Sequence, residues 1–259
     1  MANNIKSSGI RIFLIRHGET EWNRTHRFQG RSDVPLNQKG RDQGHALALA
    51  LKDEPIMAIY SSPLTRALET ARLLKVFHPS VSLFEEAGLI EMDLGQFDGM
   101  EAKDWREQNA DFRKAWQENP ASVTMPGGES LSDVQDRAVG ALYRITGLYP
   151  SGSTLLLCSH NFVNLTVLCY ALEIPLNRFR ELRQETSALN ILFMQGQRLR
   201  AEVVLCYEAT NGDGGRSSEI GMQVQISNRL KLLWAKTTVV SVEEKAYKDT
   251  SGVNQEGER

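Results

Sequence analysis

Short, almost unbroken apolar runs of strand length punctuate the chain: Ile10 to Ile15, Ile56 to Tyr60, Thr154 to Cys158, Leu189 to Met194 and Ala201 to Tyr207. Continuous apolarity, in place of strict alternation, is what a strand covered on both faces requires. Helical stretches lie between most of these runs. An alanine- and leucine-rich segment predicts a helix from about Asn37 to Lys52. Ser62-Pro63 predicts an N-cap followed by proline at the first helical position, launching Leu64 to Leu74. Ser130 and Asp133 have the spacing of a capping box, and Val134, Ala138, Ala141, Leu142 and Ile145 form one apolar stripe behind it. Strands alternating with helices predict an α/β protein: a three-layer α/β/α sandwich around a largely parallel central sheet.

Two stretches break this rhythm. Between Gly99 and Pro126 the chain is polar and dotted with Trp105, Phe112 and Trp116 at roughly helical spacing, which predicts a small helical cap over one end of the sheet. Its aromatics are expected chiefly to pack onto the main body, with lining of a substrate mouth as the alternative. Around Thr210 to Ser218 the composition becomes that of a flexible linker, so residues 1–210 are expected to form one catalytic domain and 211–259 a linker and partly disordered tail. Within the tail, Ile226, Leu230, Leu233 and Trp234 would share one helical face. The patch Ile226 to Val242 is expected to dock on the core or on a second copy of the chain, making a homodimer an expectation.

Composition narrows the partners. With 259 residues, a formal net charge of -2 and 24% charged residues, nothing in the overall balance points to nucleic acid or a membrane surface, so any anion site must be local. Cys158, Cys169 and Cys206 are odd in number and lack C-x-x-C spacing, as expected of reduced core residues in a cytoplasmic protein. Neither a signal-peptide pattern nor an apolar stretch of membrane-spanning length is evident in the sequence. No HExxH or His-x-His spacing occurs, so neither metal nor other cofactor is expected, and His26, His45 and His78 are expected at the surface.

Chemistry gathers where strands end. The run Ile10 to Ile15 passes directly into Arg16-His17-Gly18-Glu19-Thr20-Glu21-Trp22-Asn23, which sets an imidazole beside a guanidinium, and Gly18 lets a second group approach closely. Arg66 falls in the first turn of the helix after Ile56 to Ser61, where unpaired amides also favour an anion. His160 ends the run Leu155 to Ser159. Open parallel sheets place their ligands at such carboxyl ends. Cleaving a phosphate ester through a covalent intermediate needs a nucleophile, cations for the phosphoryl oxygens and an acid for the leaving oxygen, and this set has the residue types for it.

At these residues the sequence resembles the histidine phosphatase superfamily, also called the phosphoglycerate mutase-like family. The resemblance runs from about Arg11 to about Tyr207. It is carried by Arg16 to Asn23, Phe28-Gln29-Gly30-Arg31-Ser32-Asp33-Val34-Pro35-Leu36, Tyr60 to Ala71, Leu89 to Gly99, Pro126-Gly127-Gly128-Glu129-Ser130 and Ser159-His160-Asn161. It implies that His17 is the phosphorylated nucleophile, that Arg16, Arg66 and His160 hold the phosphoryl oxygens and that Glu91 is the proton donor. Thr20, Asn23, Gln29, Gly30 and Asn161 are then expected to border a small-molecule phosphate ester. Asn161 stands where many members carry glycine. The short Gly99–Pro126 segment has no Arg-Arg pair, which favours the phosphatase branch, including α-ribazole phosphatase-like and broad-specificity enzymes. A cofactor-dependent phosphoglycerate mutase is the alternative enzyme. A weakly active binding or scaffold protein is the alternative of another class, against which the complete set Arg16, His17, Arg66, Glu91 and His160 argues.

Overall fold

β1 (Ile10–Arg16) sends Ile12 and Leu14 to one face of the sheet and Phe13 and Ile15 to the other, and all four are fully buried. A strand can be apolar on both faces only if both are covered, and here they are. The computed structural model describes residues 9–205. Five more strands join β1: β2 (Ile56–Ser61), β3 (Ser82–Glu85), β4 (Thr154–Ser159), β5 (Leu189–Gln195) and β6 (Arg198–Leu205). Their order is β3-β2-β4-β1-β5-β6. The first four run parallel, whereas β5 lies antiparallel to β1 and β6 antiparallel to β5.

The helices are α1 (Glu21–Arg24), α2 (Gln38–Leu51), α3 (Thr65–Lys75), α4 (Ala102–Gln108), α5 (Ala110–Glu118), α6 (Leu131–Thr146) and α7 (Asn161–Ala171). Apolar side chains of α2 and α3 cluster with Phe13, Ile15, Leu156 and Cys158 on one face. Those of α6 and α7 cluster with Ile12, Leu14, Leu155 and Leu157 on the other, which completes the three layers. The stripe of α6 is buried as its spacing predicts, and Ser130 and Asp133 make the reciprocal capping box. α4 and α5 form the cap, tied to the body by buried Trp105 and Trp116.

Two expectations need correction, and one strand went unannounced. α3 begins at Thr65, not at Pro63, and its N-cap residue Leu64 offers no side-chain acceptor. Asp33, distant in sequence, supplies the cap instead, accepting from the Thr65 N–H and hydroxyl at 2.7 Å each. His78 is buried, its Nε2 3.2 Å from the Leu51 carbonyl oxygen. There it shares a carbonyl at the end of α2 with the Glu54 N–H, which donates to the same oxygen at 3.0 Å. Finally, β3 is an edge strand that no apolar run announced, because it is short and largely exposed. The linker expected around Thr210 to Ser218, the patch Ile226 to Val242 and Cys206 lie outside the described residues.

Candidate active site

The register of β1 on β4 pairs Arg16 with Ser159, so the next residue of each strand, His17 and His160, emerges at the same edge. The His17 N–H donates to the Ser159 carbonyl at 3.0 Å, and the two imidazole rings lie 5.1 Å apart between centroids. Glycine is required beside them. A Cβ on Gly18 would fall 2.4 Å from the Gly40 oxygen, and one on Gly40 2.1 Å from the Glu19 oxygen, so the first turn of α2 closes directly onto the loop carrying His17.

Hydrogen bonds fix the state of each ring. His17 Nδ1 lies 2.7 Å from the Gly18 carbonyl oxygen; because a carbonyl only accepts, Nδ1 carries the proton and Nε2 keeps a free lone pair. At His160, the Arg66 Nε–H donates to Nδ1 at 3.2 Å, so the proton sits on Nε2, which donates to Ser62 Oγ at 2.6 Å. Both rings are therefore neutral. Burial pushes the basicity of each well below the ordinary histidine value, and the Arg66 and Arg16 charges push the same way.

Arg66 is fully buried, an expensive place for a guanidinium unless its donors are used. Its remaining nitrogens donate to the carbonyls of Ser32 at 2.8 Å and Gly30 at 2.7 Å. With its amide oriented to satisfy both sides, Gln29 donates to Thr20 Oγ1 at 2.8 Å and turns its oxygen toward Arg66 at 3.2 Å. Burial lowers the Arg66 pKa to about 10, which still leaves it charged at neutral pH. Arg16 donates to the Gln184 carbonyl, while its Nε–H is buried without a partner among the described residues. An orphaned cationic donor of this kind is stabilised by an arriving anion.

Glu91 is 3% exposed. Its two carboxyl oxygens accept from the Met92 N–H at 2.8 Å and from the Phe162 N–H, in the first turn of α7, at 3.4 Å. Burial raises its pKa, outweighing those amides and the Arg66 and Arg16 charges. Neighbouring acids are engaged elsewhere: Asp98 accepts from the Gly30 and Ser32 amides, Asp93 from Gly95, and Glu86 from Gly88 and Arg144. Glu85 ends the exposed edge strand.

The outlying expected contacts are placed as follows. Thr20 caps α1 and is fully buried; Asn23 completes that capping box through its side-chain oxygen. Gly30 is buried, with its carbonyl committed to Arg66, and Asn161 opens α7 in a half-buried position beside His160. Sequence reasoning missed Ser62 as the acceptor for His160. It also missed Arg137, which donates to the carbonyls of Gly88, Ile90 and Glu91. Among the described residues no group of three or more His, Cys, Asp or Glu side chains is placed to hold a metal ion.

Two guanidiniums, two neutral imidazoles and a buried carboxyl, brought by two strand ends, the first turn of α3 and the loop at Glu91, have the residue types that phosphate-ester chemistry uses. The family model of the histidine phosphatase superfamily (branch 1) matches residues 12–206, and the chain belongs to that superfamily. It is 30% identical over 190 residues to phosphoserine phosphatase 1 of Hydrogenobacter thermophilus, covering 73% of this chain and 89% of that one. It is also 30% identical over 181 residues to a probable phosphoglycerate mutase of Yersinia pestis, covering 70% and 83%. A solved mycobacterial glucosyl-3-phosphoglycerate phosphatase superposes with a TM-score of 0.69 at 26% identity, over 76% of this chain and 98% of that structure. By class the protein is a phosphatase, a phosphoric monoester hydrolase. No helix among the described residues is long and apolar enough to cross a membrane.

Proposed function

We propose that the protein hydrolyses a small-molecule phosphate monoester through a phosphohistidine formed on His17. One observation carries the reading: Nδ1 of His17 is tied to the Gly18 carbonyl, which leaves the Nε2 lone pair free beside a buried Arg66–His160 pair. Nε2 attacks phosphorus, the bond from phosphorus to the leaving oxygen breaks, and that oxygen takes the proton of the Glu91 carboxyl. Water then attacks the phosphohistidine, giving its proton to the Glu91 carboxylate as the P–N bond breaks and inorganic phosphate forms.

Arg16 and Arg66 neutralise the phosphoryl oxygens, and the Nε2–H of His160 turns from Ser62 to a third donor role as negative charge develops. Thr20, Asn23, Gln29, Gly30 and Asn161 border the ester. Turnover with a radiolabelled substrate, quenched without acid, should trap label on His17 that is stable to base and labile to acid. His17→Ala should lose activity by roughly a thousandfold or more. Residual turnover within tenfold of wild type contradicts the reading.

Return of the phosphoryl group to a second hydroxyl, as in a mutase, is favoured by the likeness to a probable phosphoglycerate mutase. Stimulation of isomerisation by 2,3-bisphosphoglycerate would establish it. We place the enzyme in the cytoplasm, because Cys158 and Cys169 are unpaired, buried thiols. A second copy of the chain is the partner we propose for the patch Ile226 to Val242.

A further inference from the structure

A cavity of about 310 Å³ lies under the cap, walled by Phe28, Phe97, Trp105, Trp116, Met125 and Phe162. Three arginines also line it, from three separate elements: Arg106 of α4, Arg113 of α5 and Arg180 from the turn before β5. No aspartate or glutamate does. Arg180 is held in place, stacked over Trp116 with its guanidinium carbon 5.3 Å from the ring centroid and donating to the Trp116 carbonyl at 2.8 Å. Arg113 is half-buried and, like Arg106, makes no ion pair among the described residues.

Two residues that line this cavity, Phe162 and Leu94, also touch residues of the candidate site. Phe162 lines it while its N–H donates to Glu91, the acid that must reach the leaving oxygen. Leu94, also in the lining, packs so tightly on Gly30 that an added Cβ there would lie 3.0 Å from Leu94 Cγ, and the Gly30 carbonyl holds Arg66. A leaving group protonated by Glu91 and extending past Phe162 and Leu94 would enter the cap cavity. Taking about 30 Å³ per water, the space fits a body of roughly ten non-hydrogen atoms. Aromatic walls favour an apolar body, and an unpaired, half-desolvated guanidinium favours a carboxylate at its far end.

We infer that the substrate is a phosphate monoester whose leaving alcohol has an apolar, ring-bearing body and a distal carboxylate held by Arg113. This rests on the phosphatase reading above and names the substrate class for it. Three esters with unactivated alkyl leaving oxygens test it: 3-(4-carboxyphenyl)propyl phosphate, 3-phenylpropyl phosphate and glycerol 3-phosphate. In that order kcat/KM should fall by about tenfold or more at each step, the yield of one charge-assisted contact and one apolar contact. Arg113→Met should reduce the carboxylate preference to below about threefold, and Arg113→Lys should restore part of it. Lys114→Met, an exposed cation on the same helix, should leave the preference intact.

Absence of a carboxylate preference in the wild-type enzyme, or its persistence in Arg113→Met, overturns the inference; the wild-type comparison decides even if the variant fails to fold. Equal rates on all three esters with label still trapped on His17 would overturn the substrate class and leave the phosphatase reading standing. No turnover and no label with any ester would overturn both.

Discussion

Arg137 and Glu91 are joined through the backbone, not through their charges: the Arg137 Nη2 donates to the Glu91 carbonyl oxygen at 3.1 Å. Nη1 of the same guanidinium donates to the carbonyls of Ile90 at 2.6 Å and Gly88 at 3.0 Å. Glu129 holds the group from behind, accepting from Nε and Nη2 at 2.9 Å each. One half-buried side chain on α6 thereby fixes three carbonyls, those of Gly88, Ile90 and Glu91, in the loop that presents the candidate acid. The carboxyl of Glu91 is left free to answer to its own surroundings.

Removing Arg137 should accordingly displace the acid without touching nucleophile or phosphoryl contacts. Arg137→Met is expected to slow hydrolysis of alkyl phosphates by up to about a hundredfold, the lower end of what general acid catalysis supplies. With p-nitrophenyl phosphate, whose leaving group departs without a proton, the loss should be several times smaller. An equal loss on both substrates would show that Arg137 supports the fold and not the acid.

Asp33 gives a prediction about stability. It supplies both cap contacts to α3, and Arg66 is the second residue of that helix. Asp33→Ala should destabilise the protein by about 1 kcal/mol or somewhat less, given the exposure of the site, measured by urea unfolding. KM should rise with it, because the first turn of α3 positions Arg66. No change in either quantity would mean that another group caps the helix.

The strand-end histidines were legible in sequence because each terminates a long apolar run, and a strand buried on both faces can deliver its last residue only to an edge of the sheet. Arg66 was legible for a similar reason, at the start of the helix that follows β2. Ser62 was not: its link to His160 spans 98 residues, and nothing in local periodicity says where a serine hydroxyl points. Arg137 is 46 residues from Glu91 and reads, on α6, as one more polar position flanking the apolar stripe. The arginines of the cap cavity illustrate the same limit. A search for adjacent arginines finds none, yet folding gathers Arg106, Arg113 and Arg180 from three elements. His78 misled because it lies outside every motif block and so read as a surface residue, whereas the carbonyl it serves belongs to a helix end folded beside it.

The tail offers a separate test. Every residue assigned to the site precedes Leu205, the last described residue, so truncation after Thr210 should leave specific activity within about twofold of the full chain. Light scattering on both forms would show whether the patch Ile226 to Val242 mediates association. A folded but inactive truncation would place part of the site in the tail.

The pH dependence of kcat/KM separates the two titrating groups of the proposed mechanism. His17 must be neutral to attack, and burial beside Arg66 and Arg16 holds its pKa well below the ordinary 6.5, so it should limit the rate only in acid beyond that value. Glu91 must be protonated to serve the leaving oxygen, and burial lifts its pKa above the ordinary 4.5, so activity on alkyl phosphates should fall as pH rises through that elevated value. Glu91→Gln removes this alkaline limb and the proton together. On alkyl phosphates the variant should lose about a hundred- to ten-thousandfold, and its remaining rate should be flat where the wild type declines. With p-nitrophenyl phosphate the wild type should already lack most of the alkaline limb, and the variant should lose far less. The substrate's own second ionisation, near 6, affects both enzymes alike and cancels in their ratio. If the alkaline limb persists in Glu91→Gln, or both substrates suffer equally, the proton comes from another group and Glu91 acts in binding or structure.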